Sequence, residues 1–210
     1  MTAVKICGIT GIEDAHLAID CGADMLGFNF YPRSPRFIAP DVCLRLVSGL
    51  GERRKKATMV GVFVNMPPQK VREVLEYCRL DLAQLSGDEP SRELDLFGEL
   101  AFKAVRPRSA EELGHVLATY PIRSKAPQFL IDASKAGFYG GTGEQANWQV
   151  AALLSSQKHI LLAGGLDPDN VAQAIMQVNP WGVDVASGVE RSPGKKDPDR
   201  LQAFIQAVKG

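Results

Sequence analysis

Residues 159–190, HILLAGGLDPDNVAQAIMQVNPWGVDVASGVE, decide the fold. They contain two apolar runs, ILLA and VDVA, which are followed at once by Gly164-Gly165 and Ser187-Gly188 respectively. The segment between the runs predicts a helix with Pro168 in its first turn. A buried strand that ends in glycine lets backbone N–H groups face an anion. Two such units side by side predict a cradle for one phosphate group, and in a parallel barrel this cradle follows the last two strands.

The bulk composition indicates one globular domain. The chain has 210 residues, of which 45% are hydrophobic and 23% charged, and its formal net charge is zero. This balance gives no support to nucleic acid or a membrane surface as a general partner. No apolar run approaches the ~20 residues of a transmembrane helix. Residues 1–10 also lack the three-part build of a signal peptide, so we expect a cytoplasmic protein.

Cysteine spacing predicts no structural metal site. The four cysteines form neither a C-x-x-C pair nor a set with zinc-ligand spacing. Without an export signal we expect them to be reduced thiols. Cys21, Cys43 and Cys78 fall in helix-like stretches, and for these three we expect core packing only.

Strand-like and helix-like stretches alternate along the whole chain. Strands are predicted at residues 4–7, 24–30, 59–64, 82–85, 102–105, 128–132, 160–163 and 183–186. Helices are predicted at residues 13–20, 41–47, 67–77, within 90–100, 109–119, 148–154, from Pro168 onward and at 197–208. Residues 49–57, GLGERRKKA, are predicted to be a solvated basic loop.

This alternation predicts a parallel sheet, because parallel strands need a crossover connection. Runs such as MVGVFV are apolar throughout, as in strands that are covered on both faces. Eight strand–helix units predict an α/β fold, the closed (βα)8 or TIM barrel, with residues 1–210 as one domain. The alternative is an open doubly wound sheet, which eight units without a second domain make the weaker interpretation.

In such a barrel, functional side chains lie where strands end. The first strand ends at Cys7, whose thiolate could act as a base or nucleophile if a neighbouring positive charge lowers its pKa. The competing interpretation, a small buried core thiol, is the usual one for a lone cysteine. The sixth strand ends at Asp132, a candidate acid because burial would raise its pKa. It leads into a glycine-rich loop at residues 139–143, which either closes over a ligand, contacts phosphate or is a flexible turn.

Two further positions carry charge near predicted strand ends. The loop after the second strand holds Arg33 and Arg36 between prolines, which suits either carboxylate or phosphate binding or a surface salt bridge. Asp184 interrupts an apolar strand, so it either has a role inside the barrel or pairs with a nearby lysine or arginine. Together with the phosphate cradle, these residues suggest a proton-shuffling isomerase.

Several motifs resemble the phosphoribosylanthranilate isomerases of tryptophan biosynthesis. They are KICGIT at 5–10, GADMLGFNFYPRSPRFI at 22–38, VGVFVN at 60–65, LAGGLDPDNV at 162–171, VDVASGVE at 183–190 and PGKKD at 193–197. The resemblance implies an Amadori rearrangement of N-(5-phospho-β-D-ribosyl)anthranilate, a small phosphosugar, without metal or organic cofactor. Barrels of this kind occur as monomers and as dimers, and the sequence does not separate these two states.

The resemblance also implies roles for single residues. Asp132 would be the general acid and Cys7 the general base. Arg36 would hold the anthranilate carboxylate, and Asp184 would orient the anthranilate end. The phosphate would lie on Gly164, Gly165, Ser187 and Gly188.

The chain departs from the family pattern at two places. Ser86 stands where the family commonly has histidine, and Asn147 stands where it has an aspartate that precedes Trp148. We expect modest effects at Ser86, and we expect Asn147 to cap the next helix as aspartate would. Two rival functions stay open. One is a related phosphosugar enzyme such as the histidine-pathway isomerase, which typically uses two aspartates. The other is a silent barrel that only binds a phosphorylated metabolite.

Overall fold

Eight parallel strands close into a barrel in chain order. The computed structural model describes residues 1–132 and 148–210. The strands are β1 (Ala3–Cys7), β2 (Met25–Asn29), β3 (Thr58–Phe63), β4 (Leu82–Leu85), β5 (Ala101–Val105), β6 (Phe129–Ile131), β7 (Ile160–Leu162) and β8 (Gly182–Val185). The last strand pairs with the first, with Lys5 opposite Asp184. The predicted (βα)8 barrel is therefore confirmed.

Helices follow the strands and cover the barrel. They are α1 (Ile12–Cys21), α2 (Pro40–Gly49), α3 (Pro68–Tyr77), α4 (Ser91–Asp95), α5 (Ala110–Thr119), α6 (Trp148–Ser155), α7 (Val171–Val178) and α8 (Pro198–Lys209). The side chain of Ser109 caps α5 by accepting a hydrogen bond from the Glu112 N–H at 3.2 Å, as the sequence predicts. Within the described part of the chain, no helix is long and apolar enough to cross a membrane.

The structure corrects the sequence prediction in three places. Pro168 is not in the first turn of α7: the Asp167 side chain accepts hydrogen bonds from the N–H groups of Asp169 and Asn170 in a turn before the helix. The predicted basic loop contains a 3₁₀ helix, Gly51–Lys56. An antiparallel pair, β9 (Glu190–Ser192) and β10 (Lys195–Lys196), lies between β8 and α8 and was not predicted.

The barrel interior contains both an apolar cluster and a set of buried polar residues. A small apolar cluster fills part of it: Met25, Val60, Leu82, Phe102, Ala104, Leu130, Leu161 and Ala163. A much larger apolar layer joins the strands to the helices. Four strands also carry buried polar residues, Lys5, Gln84, Lys103 and Asp184. Buried charges are costly unless they are paired. These four positions therefore mark a polar region of the barrel interior, where chemistry can take place.

Candidate active site

A cavity of about 320 Å³ lies at the carboxyl ends of the barrel strands. Residues at or just beyond the ends of all eight strands contribute to its walls. Seven of the eight predicted site residues line it: Cys7, Arg36, Asp132, Gly164, Gly165, Asp184 and Ser187. Gly188, the next residue along the chain, is not among the lining residues. One cavity thus unites a thiol, a carboxyl group, an arginine and two glycine-containing loops.

The loops after β7 and β8 have the backbone expected of an anion cradle. Gly164 and Gly165 have φ angles of 95° and 68°, a left-handed conformation that favours glycine. At Gly188 a Cβ atom would overlap the carbonyl oxygen of Leu166, so this glycine lets the two loops touch. Among residues 1–132 and 148–210, no backbone acceptor is found for the N–H group of Gly165. This donor can therefore face an anion.

Cys7 lies beside a buried ion pair. Lys5 Nζ is 2.6 Å from Asp184 Oδ1, and the Lys5 side chain has no exposed surface. Burial alone would lower the pKa of Lys5, but the Asp184 carboxylate and the Cys7 thiol outweigh burial and raise it. The ammonium group therefore stays charged inside the barrel.

The Cys7 thiol itself is not pre-ionised. Burial raises the pKa of Cys7, Lys5 acts in the opposite direction, and the Asp184 carboxylate raises the pKa again. The net direction is upward, whereas the sequence hypothesis required a lowered pKa. A positive neighbour is present as expected, but burial and the nearby carboxylate outweigh it.

Arg36 is held by a second ion cluster. Its Nε donates to Glu190 Oε1 at 2.9 Å and its Nη2 donates to Glu190 Oε2 at 2.6 Å. Lys196 Nζ is 3.0 Å from the same Oε1 and also donates to the Cys7 carbonyl oxygen at 2.6 Å. Arg36 is thus in an ion pair, yet one at the cavity wall and not on the outer surface. The alternative of a surface salt bridge is therefore wrong for Arg36, while carboxylate or phosphate binding stays a prediction.

The remaining predicted residues are placed as follows. Asp132 follows β6 at the cavity wall, and its N–H donates to the Val105 carbonyl oxygen at 3.3 Å. Ser86 is buried, and its Oγ accepts a hydrogen bond from Gln84 Nε2 at 3.0 Å. The Arg106 Nη2 donates to the Ser86 carbonyl oxygen at 3.0 Å. The glycine-rich loop at residues 139–143 and the expected cap Asn147 lie outside the described residues.

Sequence reasoning missed Lys5, Glu190 and Lys196 as functional residues. Lys5 is two residues from Cys7 in one strand, so both side chains lie on the same face. Two charged residues in otherwise apolar first and last strands must become neighbours when a barrel closes, and that signal could have paired Lys5 with Asp184. Nothing comparable marks Glu190 and Lys196, because the hairpin that carries them was not predicted.

The other three cysteines fit the core interpretation. Cys43 and Cys78 are fully buried, and Cys21 lies in α1 away from the cavity. All four cysteines are free thiols. Within the part of the chain that the structure describes, no group of three His, Cys, Asp or Glu side chains could hold a metal ion.

The fold and cavity define a class, the phosphate-binding (βα)8-barrel enzymes that carry acid–base groups at the barrel mouth. A family model described as "N-(5'phosphoribosyl)anthranilate (PRA) isomerase" matches residues 4–207. The chain belongs to this family.

Relatives of known name agree over the full length. The N-(5'-phosphoribosyl)anthranilate isomerase of Citrifermentans bemidjiense is 46% identical and covers 100% of this chain and 98% of its own length. The protein of the same name from Geobacter sulfurreducens is 43% identical with complete coverage of both chains. The crystal structure of phosphoribosyl anthranilate isomerase from Thermotoga maritima superposes with a TM-score of 0.87 at 37% identity and covers both chains completely.

A solved complex of a phosphoribosyl anthranilate isomerase is also similar. It contains reduced 1-(o-carboxyphenylamino)-1-deoxyribulose 5-phosphate and superposes with a TM-score of 0.84 at 37% identity, again over both full chains. A small molecule with a phosphate and a carboxylate therefore occupies a barrel of this fold.

Gly188→Ala should weaken anion binding, because the added methyl group would push the β8 loop away from Leu166. Losing one or two hydrogen bonds to a charged ligand corresponds to about tenfold to a hundredfold weaker binding. Titration calorimetry with inorganic phosphate measures the effect. Gly114→Ala on α5, where an added Cβ meets open space, is the matched control and should bind as the unmodified protein does. Equal affinity in both variants would contradict the placement of the cradle.

Glu190→Gln should change how stability depends on pH. Burial would raise the pKa of Glu190, but the bonds from Arg36 and Lys196 outweigh it and lower the pKa below its ordinary 4.5. A carboxyl with a depressed folded-state pKa stabilises the protein above pH 4.5 and loses that effect as the pH falls through the folded value. Urea unfolding should therefore show a difference between the two proteins at pH 7 that shrinks below pH 4.5.

The control for this experiment is Glu52→Gln, which removes an exposed ion pair with Lys55. It should have little effect at any pH, since exposed pairs contribute about 0–1 kcal/mol. A Glu190→Gln difference that stayed constant from pH 7 to pH 3 would mean that Glu190 is not held ionised by its partners.

Proposed function

We propose that the protein converts N-(5-phospho-β-D-ribosyl)anthranilate to 1-(2-carboxyphenylamino)-1-deoxy-D-ribulose 5-phosphate, a step of tryptophan biosynthesis. The observation that carries this proposal is the convergence of Cys7 and Asp132 on one cavity that also contains the two glycine-containing loops. The reaction moves protons within one molecule and involves no net oxidation. An acid, a base and two anchors for the ends of the substrate are what such a rearrangement needs.

The two ends of the substrate have separate anchors in this proposal. The phosphate lies against Gly164, Gly165, Ser187 and Gly188, whose N–H groups supply hydrogen bonds without a mobile side chain. The anthranilate carboxylate lies on Arg36. The bonds of Arg36 to Glu190 use Nε and one N–H of Nη2, and in this proposal the other N–H groups of the guanidinium donate to the carboxylate. The Glu190 clamp restricts the rotamers of Arg36 before the ligand arrives, which lowers the entropy cost of binding.

The chemistry then needs two proton transfers. Asp132 protonates the ring oxygen of the ribose, the bond from C1′ to that oxygen breaks, and a Schiff base forms. Cys7 removes the proton from C2′, the electron pair moves into the C1′–C2′ bond, and the resulting enolamine tautomerises to the ketone. Asp184 orients the anthranilate end. Positioned acid and base groups each contribute about 10²–10⁴-fold, and anchoring of both substrate ends contributes through orientation.

We also propose that the protein works in the cytoplasm as a monomer or homodimer on a small phosphosugar. A solved relative from Thermotoga maritima is described as monomers generated from a dimeric phosphoribosylanthranilate isomerase, so closely similar chains occur in both states. The rival with two catalytic aspartates has little support, because the end of β1 carries a cysteine.

Cys7→Ser and Asp132→Asn should each abolish most turnover while leaving ligand binding intact. The assay generates the substrate in situ and follows the loss of its fluorescence, with the product identified by mass. We expect each variant to lose about 10²–10⁴-fold in kcat, the usual contribution of one acid or base. Affinity for the reduced product analogue, measured by calorimetry, should change little. Cys21→Ser, on α1 outside the cavity, is the control and should keep full activity.

The outcome separates the rival functions. A folded protein that binds the product analogue but converts no substrate would be a silent binding barrel. Full turnover by Cys7→Ser would show that Cys7 is not the base. If only Asp132→Asn lost turnover, the role of Asp132 as acid would stand and the base would have to be another residue.

Ser86→His tests the main departure from the family pattern. Ser86 is a cavity residue whose Oγ takes a single hydrogen bond from Gln84. One hydrogen bond corresponds to less than about tenfold, so kcat and KM should each change by no more than that with the same product formed. Steady-state kinetics and product identification check this expectation. A different product would show that position 86 selects the reaction and not only its efficiency.

A further inference from the structure

We propose that Lys5 is a positioning residue whose ammonium group holds the Cys7 sulfur as a thiolate when the base is needed, while Asp184 limits how strongly that charge acts on Cys7. The inference rests on the proposed role of Cys7 as the base, and it gives Asp184 a second function beyond substrate orientation. It arises from a buried cation that neither the phosphate site nor the carboxylate site uses.

The geometry places one cation between two acidic groups. Lys5 is fully buried on β1, with its Nζ 2.6 Å from Asp184 Oδ1 on the neighbouring strand β8. The Cys7 side chain lies close enough to help raise the pKa of Lys5. Cys7 lines the cavity, whereas Lys5 lies deeper in the barrel. The ammonium group therefore lies on the side of the thiol that faces the barrel interior. The other side of the thiol faces the cavity, where a ligand can bind.

Gly27 on β2 is a second feature that supports the proximity of Lys5 and Cys7. It pairs with Cys7 across the sheet. A Cβ atom at Gly27 would lie 2.8 Å from Cys7 Sγ, closer than real Cβ contacts allow, and 3.1 Å from Lys5 Nζ, which is a tight contact. The absence of a side chain at position 27 thus gives the lysine and the thiol room to meet.

The other two cations near Cys7 share one carboxylate. Lys196 on β10 donates to the Cys7 carbonyl oxygen and to Glu190 on β9, and its charge lowers the pKa of Cys7 less than Lys5 does. Arg36, from the loop after β2, shares the same Glu190. Lys5 is therefore the cation that most strongly opposes the effect of burial on the thiol, and its partner Asp184 is the carboxylate that competes for it.

This competition predicts opposite effects for the two partners. Burial raises the pKa of Cys7, Lys5 opposes that effect, and Asp184 adds to it. Removing the charge of Asp184 should make the thiol more acidic, and removing Lys5 should make it less acidic. A substrate N–H that bonds Asp184 would act in the first direction, so binding itself would favour the thiolate.

The test measures ionisation of Cys7 in the free protein. In a Cys21→Ser background, the rate of iodoacetamide alkylation at Cys7 is followed against pH, with the modified peptide identified by mass spectrometry. Asp184→Asn should move the midpoint to lower pH. Adding Lys5→Met to that variant should move it back to higher pH and slow alkylation at neutral pH by about tenfold or more, the effect of losing an adjacent opposite charge.

The matched control removes another buried lysine pair from the same barrel. Lys103 on β5 pairs with Glu89 at 2.6 Å. The variant Lys103→Met/Glu89→Gln should leave the Cys7 midpoint unchanged. Thermal unfolding verifies that each variant is folded. If Lys5→Met/Asp184→Asn does not fold, Asp184→Asn alone decides the test, because a midpoint that stays or rises contradicts the proposal.

Two results would overturn the inference. One is an unchanged midpoint on adding Lys5→Met to Asp184→Asn, and the other is an equal shift in the Lys103 control. Because the titration contains no substrate, its outcome does not depend on turnover. An active enzyme with no shift would refute the role of Lys5 alone, whereas a shift in a protein without isomerase activity would refute only the proposed reaction.

Discussion

The ion pair between Lys5 and Asp184 is the interaction on which the site depends. It joins the first and last strands of the barrel at residues 179 positions apart in sequence. Because Lys5 is fully buried, removing its partner would leave an uncompensated charge, at a cost of about 3–5 kcal/mol. The same pair places a positive charge next to Cys7. One contact thus links the two strands that close the barrel and lies beside the cavity thiol.

Around this pair, charged residues replace apolar packing at the barrel mouth. Glu190 holds Arg36 and Lys196, and Lys196 reaches back to the carbonyl oxygen of Cys7. On the opposite side, Lys103 donates to the Gly87 carbonyl oxygen at 2.6 Å and fixes the loop that carries Ser86. Such buried pairs are seldom the most stabilising choice, and apolar residues of similar volume often do as well or better. In this barrel they fix the geometry of the cavity walls.

The sequence predicts the architecture well, because each strand is a short apolar run and each run is followed by helical periodicity. It also places most of the site, since barrel function resides at strand ends and those ends can be located. It does not predict the hairpin at residues 190–196, whose residues show neither strong alternation nor an apolar run. The Lys196–Glu190 ion pair could therefore not be predicted from the sequence. The direction of the Cys7 pKa shift could not be predicted either, because it depends on burial and on Asp184, which are set only by the folded barrel.

The bond from Lys196 to the Cys7 carbonyl oxygen spans 189 positions of the chain. During translation at about 5–20 residues per second, β1 is synthesised long before residues 184–196. For that interval the Cys7 thiol is present without these residues. Neither Asp184 nor Lys196 exists until the final segments emerge. A nascent chain, however much of the sheet it has formed, cannot hold Cys7 in its finished surroundings. Assembly of the surroundings of Cys7 is thus coupled to the synthesis of residues 184–196, and a chain that stops before them lacks both the Lys196 bond to Cys7 and the Asp184 partner of Lys5.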